Sequence, residues 1–254
     1  MKAVLIVLLL AATPAAAQPP VVTPKPEDTE VWTPEPAVVT PGQAPGDAPS
    51  DAVVLFDGKD LAQWESVRGG PAGWTVVDGE MRVVLASGSI QTRAAFTDYQ
   101  LHLEWRAPTG VTGKGQLRGN SGVFLASTGA GDAGYELQVL DSYQNATYAN
   151  GQAASVYKQA PPLANAMRPP GQWQIYDIVW TAPRFGPNGA LVSPARVTAF
   201  HNGVLVQNGF ELKGPTVFIG KSAYRAHGPS PLKLQAHAGG GPVAFRNIWI
   251  RELK

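Results

Sequence analysis

The chain has 254 residues, 20 Lys and Arg against 19 Asp and Glu, and no cysteine. The near-neutral balance argues against a nucleic-acid partner, and the absent thiols exclude disulfides, thiolate metal sites, cysteine nucleophiles and attachment through a lipid-modified cysteine. With 28 Gly and 23 Pro, the chain is frequently interrupted by residues that break regular structure.

Residues 1–17 read as a signal peptide: Lys2, an apolar run from Ala3 to Ala12, then Ala15, Ala16 and Ala17 before Gln18. The run is too short to span a bilayer, so it predicts export, with no membrane insertion of the mature protein. Between 18 and 50 come Pro19, Pro20, Pro24, Pro26, Pro34, Pro36, Pro41, Pro45 and Pro49, separated by small and acidic residues. Such a segment favours extended chain and buries little apolar surface, which predicts a disordered Pro-rich linker carrying one isolated Trp32. Residues 51–254 are enough for one domain with a real core.

Within that domain the pattern repeats every two residues. Strands are expected at 53–56, 74–77, 80–85, 99–106, 121–125, 134–143, 173–180, 197–201, 204–206, 232–237 and 243–253. Asn202-Gly203 accepts the positive φ angles of a tight hairpin between two of them. Stretches 145–170 and 183–194 read as long loops, of the kind that line binding sites. No helical periodicity of useful length follows residue 17. Antiparallel strands in this number must cover their apolar faces with a second sheet, which predicts an all-β sandwich or jelly roll.

The stretch from Gly134 to Tyr143 carries the densest chemistry. If Tyr135, Leu137 and Val139 face the core, Glu136 and Gln138 share the opposite face. Asp141 follows Glu136 by an odd number of residues and reaches that face only if a bulge shifts the register. Carboxylates and an amide on one surface suit sugar chemistry, where hydroxyls are held and protons moved. An amphipathic strand with a solvated face has the same pattern.

Several segments, taken together, carry a family resemblance. Leu55-Phe56-Asp57-Gly58-Lys59-Asp60-Leu61 with Trp64, Gly119-Asn120-Ser121-Gly122-Val123, and Tyr135-Glu136-Leu137-Gln138-Val139-Leu140-Asp141 come first. Ser155-Val156-Tyr157-Lys158, Gly171-Gln172-Trp173, His201-Asn202-Gly203, Leu234-Gln235 with His237, and Phe245-Arg246-Asn247-Ile248 follow. In this order they resemble the family named for 3-keto-disaccharide hydrolysis. The resemblance implies an antiparallel concanavalin-like jelly-roll β-sandwich, similar to laminarinases, with a substrate groove on its concave sheet. It also implies a bacterial exported protein, periplasmic or secreted, acting on a glycoside or oligosaccharide. One departure stands out: where relatives are expected to read Leu-Gln-Asp-His-Gly, this chain reads Leu234-Gln235-Ala236-His237-Ala238.

The resemblance moves Glu136 and His237 to the front as catalytic candidates, with Asp141 as a second acid/base or the ligand of a divalent metal ion. Lys158 is a candidate for stabilising an enolate oxygen. Asn120, Arg118, Gln138, Tyr157, Gln235 and Trp173 are expected to bind substrate, with Trp173 and Tyr148 as stacking surfaces. Three functions fit these residues. The first is cleavage of a 3-keto-glycoside by C2 proton abstraction, elimination of the C1 substituent and hydration. The second is a laminarinase-type endoglycosidase using Glu136 and Asp141. The third is a non-catalytic carbohydrate-binding module, for which the missing carboxylate at Ala236 speaks.

Overall fold

The computed structural model describes residues 23–238 and 241–253. The expected signal peptide lies outside them, as do the first residues of the Pro-rich segment. Residues up to Val38 form one unit and those from Val39 onward another. In the first, a single 3-10 turn at Pro26–Thr29 is closed by the Asp28 carboxylate accepting from the Lys25 N–H at 2.9 Å, and Trp32 is exposed.

The second unit starts earlier than composition suggests. Residues 39–50, read as linker, belong to it: Ser50 N–H donates to the Thr40 carbonyl at 3.0 Å. The Gly46 carbonyl accepts from Trp249 Nε1 at 2.8 Å and from Asn247 Nδ2 at 3.0 Å. Gly46 has φ 91, and a side chain there would meet the His102 ring at 3.1 Å, so this close approach depends on glycine.

Among the described residues fifteen strands follow one another. The larger sheet holds eight: β1 (Val53–Phe56), β3 (Thr75–Val77), β4 (Glu80–Arg82), β6 (Tyr99–Arg106), β9 (Gln174–Thr181), β12 (Arg196–His201), β13 (Val204–Glu211) and β15 (Ala244–Glu252). Its order is β13-β12-β9-β6-β15-β4-β3, with β1 also on β15. The smaller sheet runs β2-β5-β14-β7-β8, from β2 (Trp64–Ser66), β5 (Ile90–Thr92), β7 (Ser121–Ser127), β8 (Gly134–Val139) and β14 (Lys233–Leu234). All of these pairings are antiparallel. The fold is the all-β sandwich that the period-two pattern predicts. Asn202 and Gly203 take φ 52 and 81 in the β12–β13 turn, as expected of that dipeptide. Residues 183–194, expected to be a loop, instead hold a short hairpin of β10 (Arg184–Phe185) and β11 (Leu191–Ser193). Among the described residues no helix is long and apolar enough to cross a membrane.

The core lies between the two sheets. Tyr99, Trp105, Tyr176 and Trp180 of the larger sheet meet Val123, Leu125, Tyr135, Leu137 and Val139 of the smaller one, all buried. Tyr phenols bridge the layers: Tyr99 OH donates to the Leu125 carbonyl at 2.5 Å and Tyr176 OH to the Gln138 carbonyl at 2.8 Å. These bonds help fix how β7 and β8 sit on the larger sheet. The Gln138 carbonyl also accepts from Ala154 N–H at 2.9 Å, so removing the phenol does not orphan it. Tyr176→Phe is therefore expected to cost only about 1 kcal/mol in urea denaturation. A loss several times larger would show that the hydroxyl supports more than this bond.

Candidate active site

The smaller sheet turns its other face to a cavity of about 490 Å³. Cross-strand register aligns Glu65, Gln91, Lys233, Phe124 and Glu136 in one row. In the next, Gly122 lies opposite Gln138, and Gln235 N–H donates to the Gly122 carbonyl at 3.0 Å. The alternation in β8 runs as its sequence predicts, yet Glu136 and Gln138 are buried like their inward neighbours. The reason is the segment after β8, which folds over that strand's free edge. Gln138 N–H donates to the Ser155 carbonyl at 3.0 Å and Tyr157 N–H to the Glu136 carbonyl at 3.2 Å. The expected 145–170 loop thus does line the site, through Tyr148 and Tyr157.

Polar groups form the floor: buried Glu136, Gln138, Asn120 and Gln235 line the cavity with His237, and the exposed Asp132 lines its rim. Glu136 is 5 % exposed. Burial, reinforced by the charge of Asp132 and opposed by that of Lys233, pushes its carboxyl up to about 8. The Gln138 amide, oriented so that its nitrogen meets acceptors, donates to Glu136 Oε1 at 2.9 Å and to the Ser121 carbonyl at 3.0 Å. Thr216 Oγ1 accepts from the Glu136 N–H at 3.0 Å. Opposite stands Gly122, where a Cβ would come within 2.6 Å of Glu136 Oε1. Glycine at 122 therefore makes room for the carboxyl.

Lys233 is completely buried in the same cross-strand row, with Phe124 between it and Glu136. Its ammonium donates to the Gly131 and Ala133 carbonyls at 2.8 and 2.7 Å and lies 4.1 Å from the centre of the Phe124 ring. Burial lowers its pKa to about 8, against the opposing pull of Asp132 and Glu136. Asp132 accepts from Gln235 Nε2 at 2.8 Å. Tyr148 and Tyr157 share a 2.7 Å hydrogen bond between hydroxyls. Burial, then the Tyr148 contact and the nearby carboxylates, raises the Tyr157 phenol and keeps it protonated. His237 Nδ1 is buried without a hydrogen-bond partner.

The structure brings together Glu136, His237, Asn120, Gln138, Tyr157 and Gln235, all expected from the sequence, and separates them from four others. Asp141 is fully buried outside the cavity lining. It follows the end of β8, where no bulge returns it to the Glu136 face. Its carboxylate is held by Arg118 Nε at 2.7 Å and by the Tyr143 N–H at 3.1 Å. Arg118 is thereby a partner of Asp141 and does not line the cavity. Trp173 lies against Arg106 and Arg246 of the larger sheet, whose guanidinium carbons are 4.6 and 4.1 Å from its ring centre. Lys158 stands at the cavity's edge, its ammonium 4.0 Å from the Tyr148 ring centre, away from the polar floor. A divalent cation at Asp141 does not fit: the arginine already occupies the carboxylate. Among the described residues no three His, Asp or Glu side chains are grouped to hold one.

Ala236, the departure from the expected pattern, packs against the core. The carboxylate missing there is not subtracted from the cavity floor. Asp132 and Lys233 are the residues that sequence reading missed. Lys233 alternates with Leu232 and Leu234 and shares the parity of Gln235, which was a usable signal. Asp132 lies in a glycine-rich loop and had none.

Comparison with known proteins finds relatives over the whole domain. The sequence model of the family described as 3-keto-alpha-glucoside-1,2-lyase-like domain matches residues 51–251. A crystal structure from Parabacteroides distasonis, described as a candidate glycosyl hydrolase, is 50 % identical with a TM-score of 0.84, covering 90 % of this chain and 97 % of that one. A second candidate glycosyl hydrolase of that organism is 20 % identical with a TM-score of 0.60, covering 80 % of this chain and 94 % of its own, and shares the fold. No curated protein sequence matches the chain.

Proposed function

Because this chain belongs to the family of 3-keto-alpha-glucoside-1,2-lyase-like domains, we propose that it is a carbohydrate-active enzyme cleaving glycosides whose sugar carries a ketone at C3. The observation that carries this reading is the buried Glu136 carboxyl, raised to about 8, on a floor of amides that suit sugar hydroxyls. A ketone at C3 acidifies the hydrogen on C2. Glu136, once ionised, is a base strong enough to remove it, and its high pKa is the tuning that such a step needs.

Removal of the C2 proton sends the electron pair into an enolate on O3. The enolate collapses, C1 and C2 become doubly bonded, and the C1–O bond breaks with its electrons on the departing oxygen. A proton completes the alcohol, and addition of water at C1 restores a hydrated sugar. The protonated Tyr157 phenol and His237 are the groups placed to donate hydrogen bonds to oxygens that gain charge. Export, indicated by the N-terminal segment, would put this chemistry in the periplasm or outside the cell.

Incubation with a 3-keto-glucoside and with its unoxidised parent tests the reading. Release of the aglycone from the keto compound alone supports it; no release from the keto compound at any enzyme level defeats it. Asp132, as a second carboxylate in the same cavity, favours one rival, ordinary acid/base hydrolysis with Glu136 as the acid. That rival requires cleavage of the unoxidised glucoside. The original pairing of Glu136 with Asp141 has lost its geometry. The binding-module reading has lost the support of Ala236, which lies on the core side.

Gly122→Ala offers a subtler check. The new methyl group must displace Glu136 Oε1 by several tenths of an ångström or more, since 2.6 Å is far inside contact distance. Turnover is expected to drop by about 10–100-fold with the fold retained, because a small misplacement of a reacting group is costly. Near-wild-type kcat from this variant would mean that the position of Glu136 is immaterial.

A further inference from the structure

The two ends of the cavity differ in chemistry. Its floor is amide and carboxyl, whereas its mouth is carried by Leu117, Tyr148 and Phe218. Leu117 is 61 % and Phe218 69 % exposed, and neither has a group that can hydrogen-bond a hydroxyl. The Tyr148 hydroxyl is already engaged with Tyr157. A second sugar seated against Leu117, Phe218 and the Tyr148 ring would set most of its hydroxyls against apolar carbon, with the exposed Asp132 the charged acceptor elsewhere on the rim. A flat hydrophobic group would instead cover surfaces that now face water.

A positive charge stands at the same place. Lys158 has φ 64, and its N–H donates to the Asn150 carbonyl at 2.9 Å. Its ammonium lies 4.0 Å from the Tyr148 ring centre and 5.0 Å from that of Phe218. It is thus among the aromatic groups of the mouth, on the side by which a leaving group departs. There a cation favours an aglycone whose oxygen carries negative charge as the C1–O bond breaks.

From these observations, and resting on the 3-keto-glycoside reading above, we propose that the mouth is an aglycone site for aromatic, phenolic leaving groups. The sugar occupies the polar floor. The aromatic ring packs between Phe218, Tyr148 and Leu117, and Lys158 faces the phenolate oxygen released with the C1–O electron pair, which then takes a proton from water.

Two measurements on the full chain separate this inference from the reading on which it rests. The first is calorimetric binding of phenyl glucoside, methyl glucoside and a glucose disaccharide to wild type and Phe218→Ser. The phenyl compound is expected to bind about tenfold more tightly than the other two, as one well-packed aromatic contact allows. Phe218→Ser should erase most of that difference while affecting methyl glucoside much less. Equal affinity for phenyl glucoside and the disaccharide, or an equal loss for all ligands, overturns the aglycone site whether or not catalysis occurs. The second is turnover of 3-keto-glucosides with phenols of graded acidity. In Lys158→Gln, kcat should fall more for poorly acidic phenols than for p-nitrophenol, giving a steeper dependence on leaving-group pKa than in wild type. An unchanged dependence removes Lys158 from the leaving-group step. Absence of turnover with every keto substrate defeats the catalytic reading, while the binding comparison still decides the mouth.

Discussion

Glutamine in place of Glu136 is expected to lower kcat on a 3-keto-glucoside by about 10²–10⁴-fold, the usual range for losing a positioned base. Substrate binding should change far less, because the amide keeps the size and much of the hydrogen-bonding capacity of the carboxyl. The fold should also survive. The backbone N–H at 136 is held by Thr216, independently of the side chain, and the Gln138 amide can still meet a carbonyl-type oxygen. The variant carries a second signature in stability. Native Glu136 keeps its proton until about pH 8, whereas in the unfolded chain a glutamic acid releases it near 4.5. Between those values the folded state binds more protons, so this group makes stability fall as pH rises, and the fall ends above about 8. Urea denaturation of wild type and Glu136→Gln across that window should therefore show wild type losing stability relative to the variant as pH increases. If the two lose it in parallel, the carboxyl is ionised well below 8. If the variant keeps full kcat, Glu136 is not the base.

Methionine in place of Lys233 is expected to act on the same carboxyl from behind. The Lys233 charge holds the Glu136 pKa below the level that burial and Asp132 would otherwise set. Removing it raises that pKa further. For a reaction that needs ionised Glu136, kcat/KM climbs as pH passes the carboxyl's pKa, so the climb near 8 should move to higher pH in Lys233→Met. At neutral pH the variant is then slower, and raising the pH should restore part of the loss. Stability also drops. The Lys233 ammonium loses its two bonds to the Gly131 and Ala133 carbonyls, but Gly131 is exposed and the Ala133 carbonyl keeps the Thr128 N–H, so the loss should stay at about 1 kcal/mol per bond. A pH profile of kcat/KM with its acid limb unmoved, or moved to lower pH, would contradict the coupling. A loss of activity equal at all pH values would assign Lys233 a structural role only.

These two residues are also where reading the sequence and reading the structure part company. Glu136 was identified because strand alternation and the surrounding motif put it opposite a core-facing set, and in β8 Tyr135, Leu137 and Val139 do enter the core while Glu136 and Gln138 line the cavity. Lys233 obeys the same rule in β14, but a lysine alternating with leucines looks like any solvated edge until the 128–133 loop is seen to close over it. Asp141 failed for a related reason. Two residues beyond a regular strand, parity no longer says which way a side chain turns, and an arginine 23 positions earlier in the chain claimed it. Trp173 failed because an aromatic residue near a strand end has no preferred sheet in its sequence, and here the arginines of the larger sheet hold it.

The sequence by itself determined the two-sheet architecture, the hairpin at Asn202-Gly203 and the inward and outward faces of the strands, because backbone periodicity and positive φ are local properties of the chain. Only the tertiary structure decided which carboxylates share one cavity, that the presumed solvated face is roofed, and hence how strongly Glu136 holds its proton. Those outcomes depend on loops returning across many residues to exclude water. Dehydration is a property of the assembled surroundings, and no single stretch of sequence encodes it.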